Sequence, residues 1–561
     1  MNDQVEERLG NIGLSDHSTT SEYRIYGPPG TGKTTNLTRQ IQRAVDRFGE
    51  NSVLVTGFSR ATAAELKGRD TPIDFDHIGT LHSHCFHALG KPAIAEGHVE
   101  DWNRRYPHLK ITPVSRQSRL DGEDAGGDES EAGGGDLLLQ VLNRCRGMMH
   151  GSETLLPQVR DFAAKWASYK AANGLLDFCD LIETALRDLS VAPHKPSVLV
   201  VDEAQDLNRL QLSVIRRWSQ NAQYLVLAGD DDQTIYAWAG ASPEAILDPD
   251  IPDDHKIFLD QSARVPRSVH ALAERLVRQV SRRQQKTYLP RPADGEVHRF
   301  SSGGYRAPEY SILKTLEQNI KHGKSIMCLT SCSYMLHPLI TVLRKNGIPF
   351  HNPHRKSNGF WNPLRTNNRK SAANRLLALL AAHPAFGDGQ RRWRFSDVAL
   401  WMEWLRREGT LPGALDLISA NAHHQEVSDD FLEMIFAPEA LRILRAALRT
   451  DSPCALLNWW REGLVPEFRQ RIQFPSAIAI LRGPQILRHS PQVVVGTIHS
   501  VKGGQADVVY LFPDLSKAGD TQYCQSGPPR DSVVRTFYVG ATRARETLYI
   551  CAAEGAAAIT I

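Results

Sequence analysis

The run GPPGTGKT at residues 27–34 limits what this chain can fold into more than any other feature. A short strand-like run, Tyr23–Tyr26, leads into it. A helical stretch follows, with Leu37, Ile41, Ala44, Val45 and Phe48 on one face. A glycine-rich turn between strand and helix, ending in Lys-Thr, is a phosphate cradle. Gly27, Gly30 and Gly32 let the backbone close around phosphate oxygens and aim its N–H groups inward. The helix N-terminus adds partial positive charge. Gly27, Pro28, Pro29, Gly30, Thr31, Gly32, Lys33, Thr34 and Thr35 therefore form the expected ATP-binding loop. Lys33 reaches the β- and γ-phosphates, and the Thr34 hydroxyl ligates Mg²⁺. A glycine turn that merely happens to precede Lys-Thr would not explain the strand and helix on either side.

Such a loop needs a second acidic group for the metal, and VLVVDEAQD at 198–206 supplies it. Four apolar residues make a buried strand that places Asp202 at its carboxyl end, where ligands of open α/β sheets bind. Asp202 is assigned to Mg²⁺, and Glu203 to orienting and deprotonating the attacking water. Further apolar runs at 53–57 and 224–228 alternate with helical stretches, which predicts a parallel sheet covered on both faces. A second α/β pattern begins near residue 257, with strands expected at 325–330, 493–497, 508–512 and 547–552. The acidic, glycine-rich stretch at 121–136 reads as a surface loop without chemistry. Tryptophans at 361, 393, 401, 404, 459 and 460 mark a helical insert, and read as core rather than as a binding platform.

Composition excludes several classes. The 66 basic and 63 acidic residues leave a net charge of +3, too little to announce a nucleic-acid binder, though a local groove can be basic on a neutral protein. No apolar run approaches the ~20 residues of a membrane span, so no membrane partner is expected. The eight cysteines are scattered, make no metal-cluster spacing, and read as reduced thiols of a cytoplasmic protein.

An ordered series of motifs resembles the superfamily 1 helicases of the UvrD, Rep and PcrA type. After GPPGTGKT come TGFSRATAAEL at 56–66, GTLHSHCF at 79–86, LLDFCDLI at 175–182, DEAQD at 202–206, AGDDDQTIYAWAGA at 228–241, LDQSAR at 259–264, GTIHSVKGGQAD at 496–507 and YVGATRAR at 538–545. The resemblance implies an α/β fold of two RecA-like P-loop domains, parallel sheets flanked by helices, each carrying a mainly helical insert. The first domain would comprise 1–86 with 176–256, and its insert 87–175. The second would comprise 257–354 with 489–561, and its insert 355–488. The implied activity is that of an ATP-dependent helicase or translocase on single-stranded DNA or tailed duplex DNA, moving 3′-to-5′, with ATP and Mg²⁺ as cofactors. Gln233 would sense the γ-phosphate. Arg264 and Arg543 would meet it from the second domain, and Phe58, His82, Tyr236, Trp238, Thr497 and His499 would contact the strand.

The chain departs from the family pattern in four places. The upstream glutamine motif is not evident before residue 27. Ala263, Ala239 and Gln505 stand where the family has an aromatic, an arginine and a glutamate. Most of these positions concern base or sugar, so hydrolysis is expected to survive while the choice of nucleotide base is left open. The inserts are also smaller than is usual in the family. Two other readings compete: a DNA-binding ATPase switch or loading module without processive unwinding, and an RNA-directed motor. Protein partners and oligomeric state are not legible.

Overall fold

The computed structural model describes residues 20–561 apart from 59–62, 64–65, 69–70, 114–133, 354–359, 366–367, 385, 387–391 and 422–425. Its two halves are each built on a six-stranded, all-parallel sheet. The first contains β1 (Ser21–Tyr26), β2 (Val53–Gly57), β3 (Ile78–Thr80), β4 (Val198–Asp202), β5 (Tyr224–Gly229) and β6 (Lys256–Phe258), in the order β3-β2-β4-β5-β1-β6. The near-continuous apolar runs of β2 and β4 are buried at every position, as strands covered on both faces require. β1, β4 and β5 are neighbours although they are far apart in sequence. Three loops therefore leave the same edge of the sheet: the glycine-rich loop after β1, the Asp-Glu turn after β4 and the triple-aspartate loop after β5.

A two-stranded parallel ribbon, β7 (Gln261–Pro266) and β8 (Leu289–Arg291), joins the first sheet to the second. The second sheet has the order β11-β12-β10-β13-β14-β9. It comprises β9 (Glu296–Arg299), β10 (Ile326–Thr330), β11 (Phe350–His351), β12 (Val493–Thr497), β13 (Ala506–Leu511) and β14 (Ala544–Ile550). β6 carries the first sheet two residues beyond the boundary expected at 256. The short edge strands β3, β6, β9 and β11 escaped the sequence reading because two to four residues carry too little periodicity to register.

The segment 87–175 has its own core around Trp102, Phe162 and Trp166. The expected acidic loop at 121–136 lies outside the described residues up to 133. Residues 134–136 instead open helix α1 (Gly134–Gly147), a correction to that loop's end. The helical segment 355–488 shares one continuous core with a face of the second sheet. Trp361, Trp393, Trp401, Trp404 and Trp460 are buried in it together with Ile326, Val493 and Tyr510. No helix among the described residues is long and apolar enough to cross a membrane.

Candidate nucleotide cleft and strand surface

The glycine-rich loop leaves β1 with the Gly27 N–H bonded to the Gly229 carbonyl of β5 (3.0 Å). Gly30 and Gly32 take φ of +79° and +82°, a region side chains rarely adopt. A Cβ on Gly27 would lie 2.2 Å from the Lys33 side chain, which folds back so that its Nζ donates to the Gly27 carbonyl (2.8 Å). Lys33 also begins the helix Lys33–Phe48, whose first turn has no acidic residue and whose N-cap, Gly32, offers no side-chain acceptor. Backbone N–H groups therefore remain at this helix start for an anion.

Glu203 follows β4 in a left-handed conformation (φ 54°), with its N–H bonded to Asp202 Oδ1 (2.9 Å). Gln205 donates its amide to Glu203 Oε2 (2.5 Å) and accepts from the Asp230 N–H (3.1 Å), so one side chain ties the ends of β4 and β5 together. Burial disfavours a charge on Glu203. The Lys33 and Lys502 ammoniums, the Gln205 hydrogen bond and the Arg543 guanidinium overcome it and hold the carboxyl down at about 2. Asp206 is pushed the other way, to about 7, by burial and the Glu203 charge, even though Lys502 bonds to it.

The opposite wall comes from the second half of the chain. The Ser262 hydroxyl and the Tyr288 hydroxyl both donate to the Pro29 carbonyl (2.9 Å each), and the Ala263 N–H donates to the Gly30 carbonyl (2.9 Å). Arg264 lies directly against the loop, since a Cβ on Gly30 would sit 2.5 Å from its own; its Nε donates to Gln505 Oε1 (2.8 Å). Arg543 is 1% exposed. It donates to the carbonyl oxygens of Val539 (2.9 Å) and Gly504 (3.2 Å) and to Gln233 Oε1 (3.3 Å). Among the described residues no carboxylate pairs with it. Burial and the nearby Arg264 charge pull it down to about 9. A buried guanidinium met only by neutral acceptors is a strong demand for an anion.

Lys33, Glu203, Gln233, Arg264 and Arg543 thus line one cleft, with Asp202 bonded to the Glu203 backbone at its floor. Thr34 and Thr35 sit in the first helical turn, and Thr31 closes its own turn through its hydroxyl onto the Pro28 carbonyl (2.8 Å). This is the donor set a magnesium nucleoside triphosphate needs. The loop accepts no side chain where phosphate would lie, the helix start is unopposed, and a hydroxyl and a carboxylate (Thr34 and Asp202) are the hard oxygen ligands Mg²⁺ prefers.

The residues assigned to the strand divide. Tyr236 stacks with Phe58 (5.0 Å between centroids) and meets Trp238 edge-on (6.0 Å). His499 lies beside the same ring (6.1 Å), with its Nε2 bonded to the Ile235 carbonyl (3.0 Å). Thr497 ends β12, where its hydroxyl accepts from the Ser500 N–H (3.2 Å). His82 stands apart from this cluster. Its ring meets Phe178 edge-on (5.9 Å), and burial pushes it down to about 4, so it is a neutral donor or acceptor and no cation.

Several residues of this region were missed at the sequence level. Lys502 donates to the Gln233 carbonyl (2.8 Å) and to Asp206, stands 3.8 Å from Glu203, and lies over the Tyr236 ring (5.2 Å). It sits inside the HSVKGG run, so its motif was noted but its partners were not. Ser262 sits inside the LDQSAR run, so its motif too was noted without its partner, whereas Tyr288, Arg283 and Lys286 carry no local signal, because the cleft groups they touch lie tens to hundreds of residues away. Ile235, on the loop after β5, is buried in the core of the second half with Val265, Val501 and Phe537.

Residues 14–251 match the UvrD/REP helicase N-terminal domain, and residues 492–551 the UvrD-like helicase C-terminal domain; together they span just over half the chain. ATP-dependent DNA helicase PcrA of Staphylococcus aureus is 23% identical over 332 residues, covering 55% of this chain and 45% of that protein. The protein of the same name from Staphylococcus epidermidis is 23% identical over 349 residues, covering 58% and 47%. The chain thus spans about half the length of the curated relatives it matches. Two recognisable domains in family order, folded as paired parallel sheets around one phosphate cleft, lead to one conclusion: the chain belongs to the UvrD/Rep family of helicases.

Proposed function

We propose that this protein is a motor on single-stranded DNA, driven by hydrolysis of Mg-ATP in the cleft between its two sheets and moving 3′-to-5′. The observation that carries the reading is Arg543, buried without a carboxylate partner among the described residues and bonded to Gln233 across the cleft from Lys33 and Glu203. In the proposed mechanism Lys33 and the backbone N–H groups of 30–34 bind the phosphates. Thr34 and Asp202 would hold Mg²⁺, which would supply positive charge to neutralise the phosphates. Glu203, already ionised, orients the attacking water and takes its proton. Gln233 fixes the water or γ-phosphate oxygen, while Arg264 and Arg543 stabilise the charge that develops on the transferring group.

Coupling to the strand follows from chain connectivity. Gln233, Ile235, Tyr236 and Trp238 lie within six residues of one another. The first faces the cleft, the second is plugged into the other half, and Trp238 offers the ring on which a base would stack, backed by Tyr236 between Phe58 and Lys502. Such stacking is worth about 1–3 kcal/mol per base. A shift of the second half on phosphate release therefore drags the stacking platform. The polarity is an expectation from family resemblance, tested with 3′-tailed and 5′-tailed duplexes. The direct test of the motor is turnover: single-stranded DNA is expected to raise the ATP hydrolysis rate of the purified chain many-fold. Absence of stimulation by any nucleic acid defeats the motor reading and favours a switch. Stronger stimulation by RNA reassigns the track.

A further inference from the structure

The loop after β5 carries three consecutive carboxylates, Asp230, Asp231 and Asp232, all fully buried, with ligand atoms within 4.8 Å of one another. Three such charges cannot share a dry site unaided. The compensation comes from the segment between the helix Arg267–Val277 and β8. Lys286, whose side chain is 1% exposed, places Nζ 2.6 Å from Asp230 Oδ1 and 2.9 Å from Asp232 Oδ2, and bonds to Asp231 as well. An ammonium has three donors, and this one meets all three carboxylates. Arg283 grips Asp232 (3.0 and 3.2 Å), and the Gln284 N–H donates to Asp231 (2.8 Å).

Of the three carboxylates, Asp230 also reaches the nucleotide cleft. Its Oδ2 accepts from Gln233 Nε2 (2.7 Å). A carboxylate can only accept, so the amide nitrogen of Gln233 must face it. The amide oxygen then faces Arg543, as found (3.3 Å). We propose that Lys286, which belongs to none of the matching motifs, is a positioning residue for hydrolysis: its ammonium anchors the Asp230 carboxylate, and Asp230 thereby fixes which face of the Gln233 amide meets the cleft. Without that ammonium, Asp230 Oδ1 loses its anchor and the neighbouring Asp231 and Asp232 carboxylates push it away. A displaced Asp230 no longer holds the Gln233 amide nitrogen, so the amide can turn over and aim its N–H groups at Arg543. The three carboxylates hold Lys286 charged, well above the usual lysine range despite its burial. The inference rests on the reading of this cleft as an ATP-hydrolysing site.

The test exploits a charge-matched pair in the full chain. Lys286→Met and Arg283→Met each remove one positive charge from the same buried cluster, but only Lys286 touches Asp230. Lys286→Met is expected to lower DNA-stimulated kcat by about 10- to 100-fold, with KM for ATP and binding of a non-hydrolysable analogue held within about threefold. Arg283→Met is expected to lose thermal stability yet keep kcat within about threefold of wild type. Should Lys286→Met not fold, Lys286→Met with Asp232→Asn restores the original charge balance while still leaving Asp230 without its ammonium, and the same loss of kcat is expected. Equal kcat losses in the two single variants would reduce Lys286 to a structural ion pair and overturn the inference, as would wild-type kcat in either the folded single or the double variant. A wild-type chain inert toward ATP would instead bring down the hydrolytic reading itself, so the two failures are distinct.

Discussion

In the proposed reaction, turnover would hinge on a few side chains whose environments are unequal. Lys33→Ala is expected to abolish hydrolysis while leaving the chain folded, because among the described residues its ammonium hydrogen-bonds only within its own loop. Glu203→Gln is expected to bind ATP and turn it over poorly. Since its neighbours hold Glu203 at about 2, its carboxylate stays ionised throughout the neutral range. A pH–rate profile of the wild type should therefore show no acid limb from this group between about pH 4 and 8. A limb that Glu203→Gln removes would contradict the assignment. Arg543→Ala is expected to cut kcat by about 10³-fold, and Arg543→Lys should not restore it, because a point charge cannot replace a planar fork. Gly30 is constrained twice, by its positive φ and by the Arg264 side chain. Gly30→Ala should raise KM for ATP sharply, since the new methyl group pushes the second-half wall away from the phosphates. Wild-type KM in that variant would refute the close approach.

At the scale of elements, the segment 87–175 is bolted to the first sheet by a buried polar hub. Asp177 N-caps the helix Phe178–Asp188 in a capping box. It also accepts from Arg146 at the end of α1 (3.0 Å), from the Trp166 indole N–H (3.0 Å) and from Lys170. Removing one member strands the others, so Asp177→Ala is expected to cost about 3–5 kcal/mol in denaturant unfolding. Nearby, burial and the Asp177 charge push Glu96 up to about 8. Its folded value thus lies above its unfolded value of about 4.3, so the folded state holds the extra proton and stability falls as pH rises from about 4 through 8. Glu96→Gln, which keeps the acceptor for the Phe178 N–H, should gain in melting temperature relative to wild type as pH is raised across that window. A pH-independent difference would show that Glu96 titrates normally. The long, strongly patterned strands and helices of the chain were legible because apolar runs and helical stripes are local signals. The β7–β8 ribbon was not, since its pairing joins residues separated by a whole helix.

For the whole molecule, the loop after β5 is the first-half element that ties the phosphate cleft to the second half. Lys502, Arg543 and His499 of the second half bond to Gln233 and Ile235, while Ile235 itself is buried across the boundary. The segment 281–288 adds a strap. It is tied to the second half by Ser281 on Asp531 and by the Arg535 guanidinium on the Arg282 carbonyl, and to the first half by Lys286 and Tyr288. Opening the cleft must therefore stretch these bonds or pivot about them. Lys502→Ala is expected to uncouple the halves, leaving basal hydrolysis measurable while DNA stimulation falls, because the ammonium touches both the Glu203–Asp206 carboxylates and the Tyr236 ring. Stimulation equal to wild type would place the coupling elsewhere.

The phosphate loop, the acidic turn after β4 and the paired α/β halves could be read from the linear chain, because each is a run of neighbouring residues whose types dictate local geometry. The resemblance then supplied roles for Gln233, Arg264 and Arg543. Folding added the partners. Nothing near Lys286 or Lys502 in the chain indicates which carboxylates they will neutralise, since charge compensation in a dry interior is a long-range matter set by which loops the sheet order brings together. The same holds for Arg543, whose need for an anion arises from burial, a quantity that no stretch of residues carries alone.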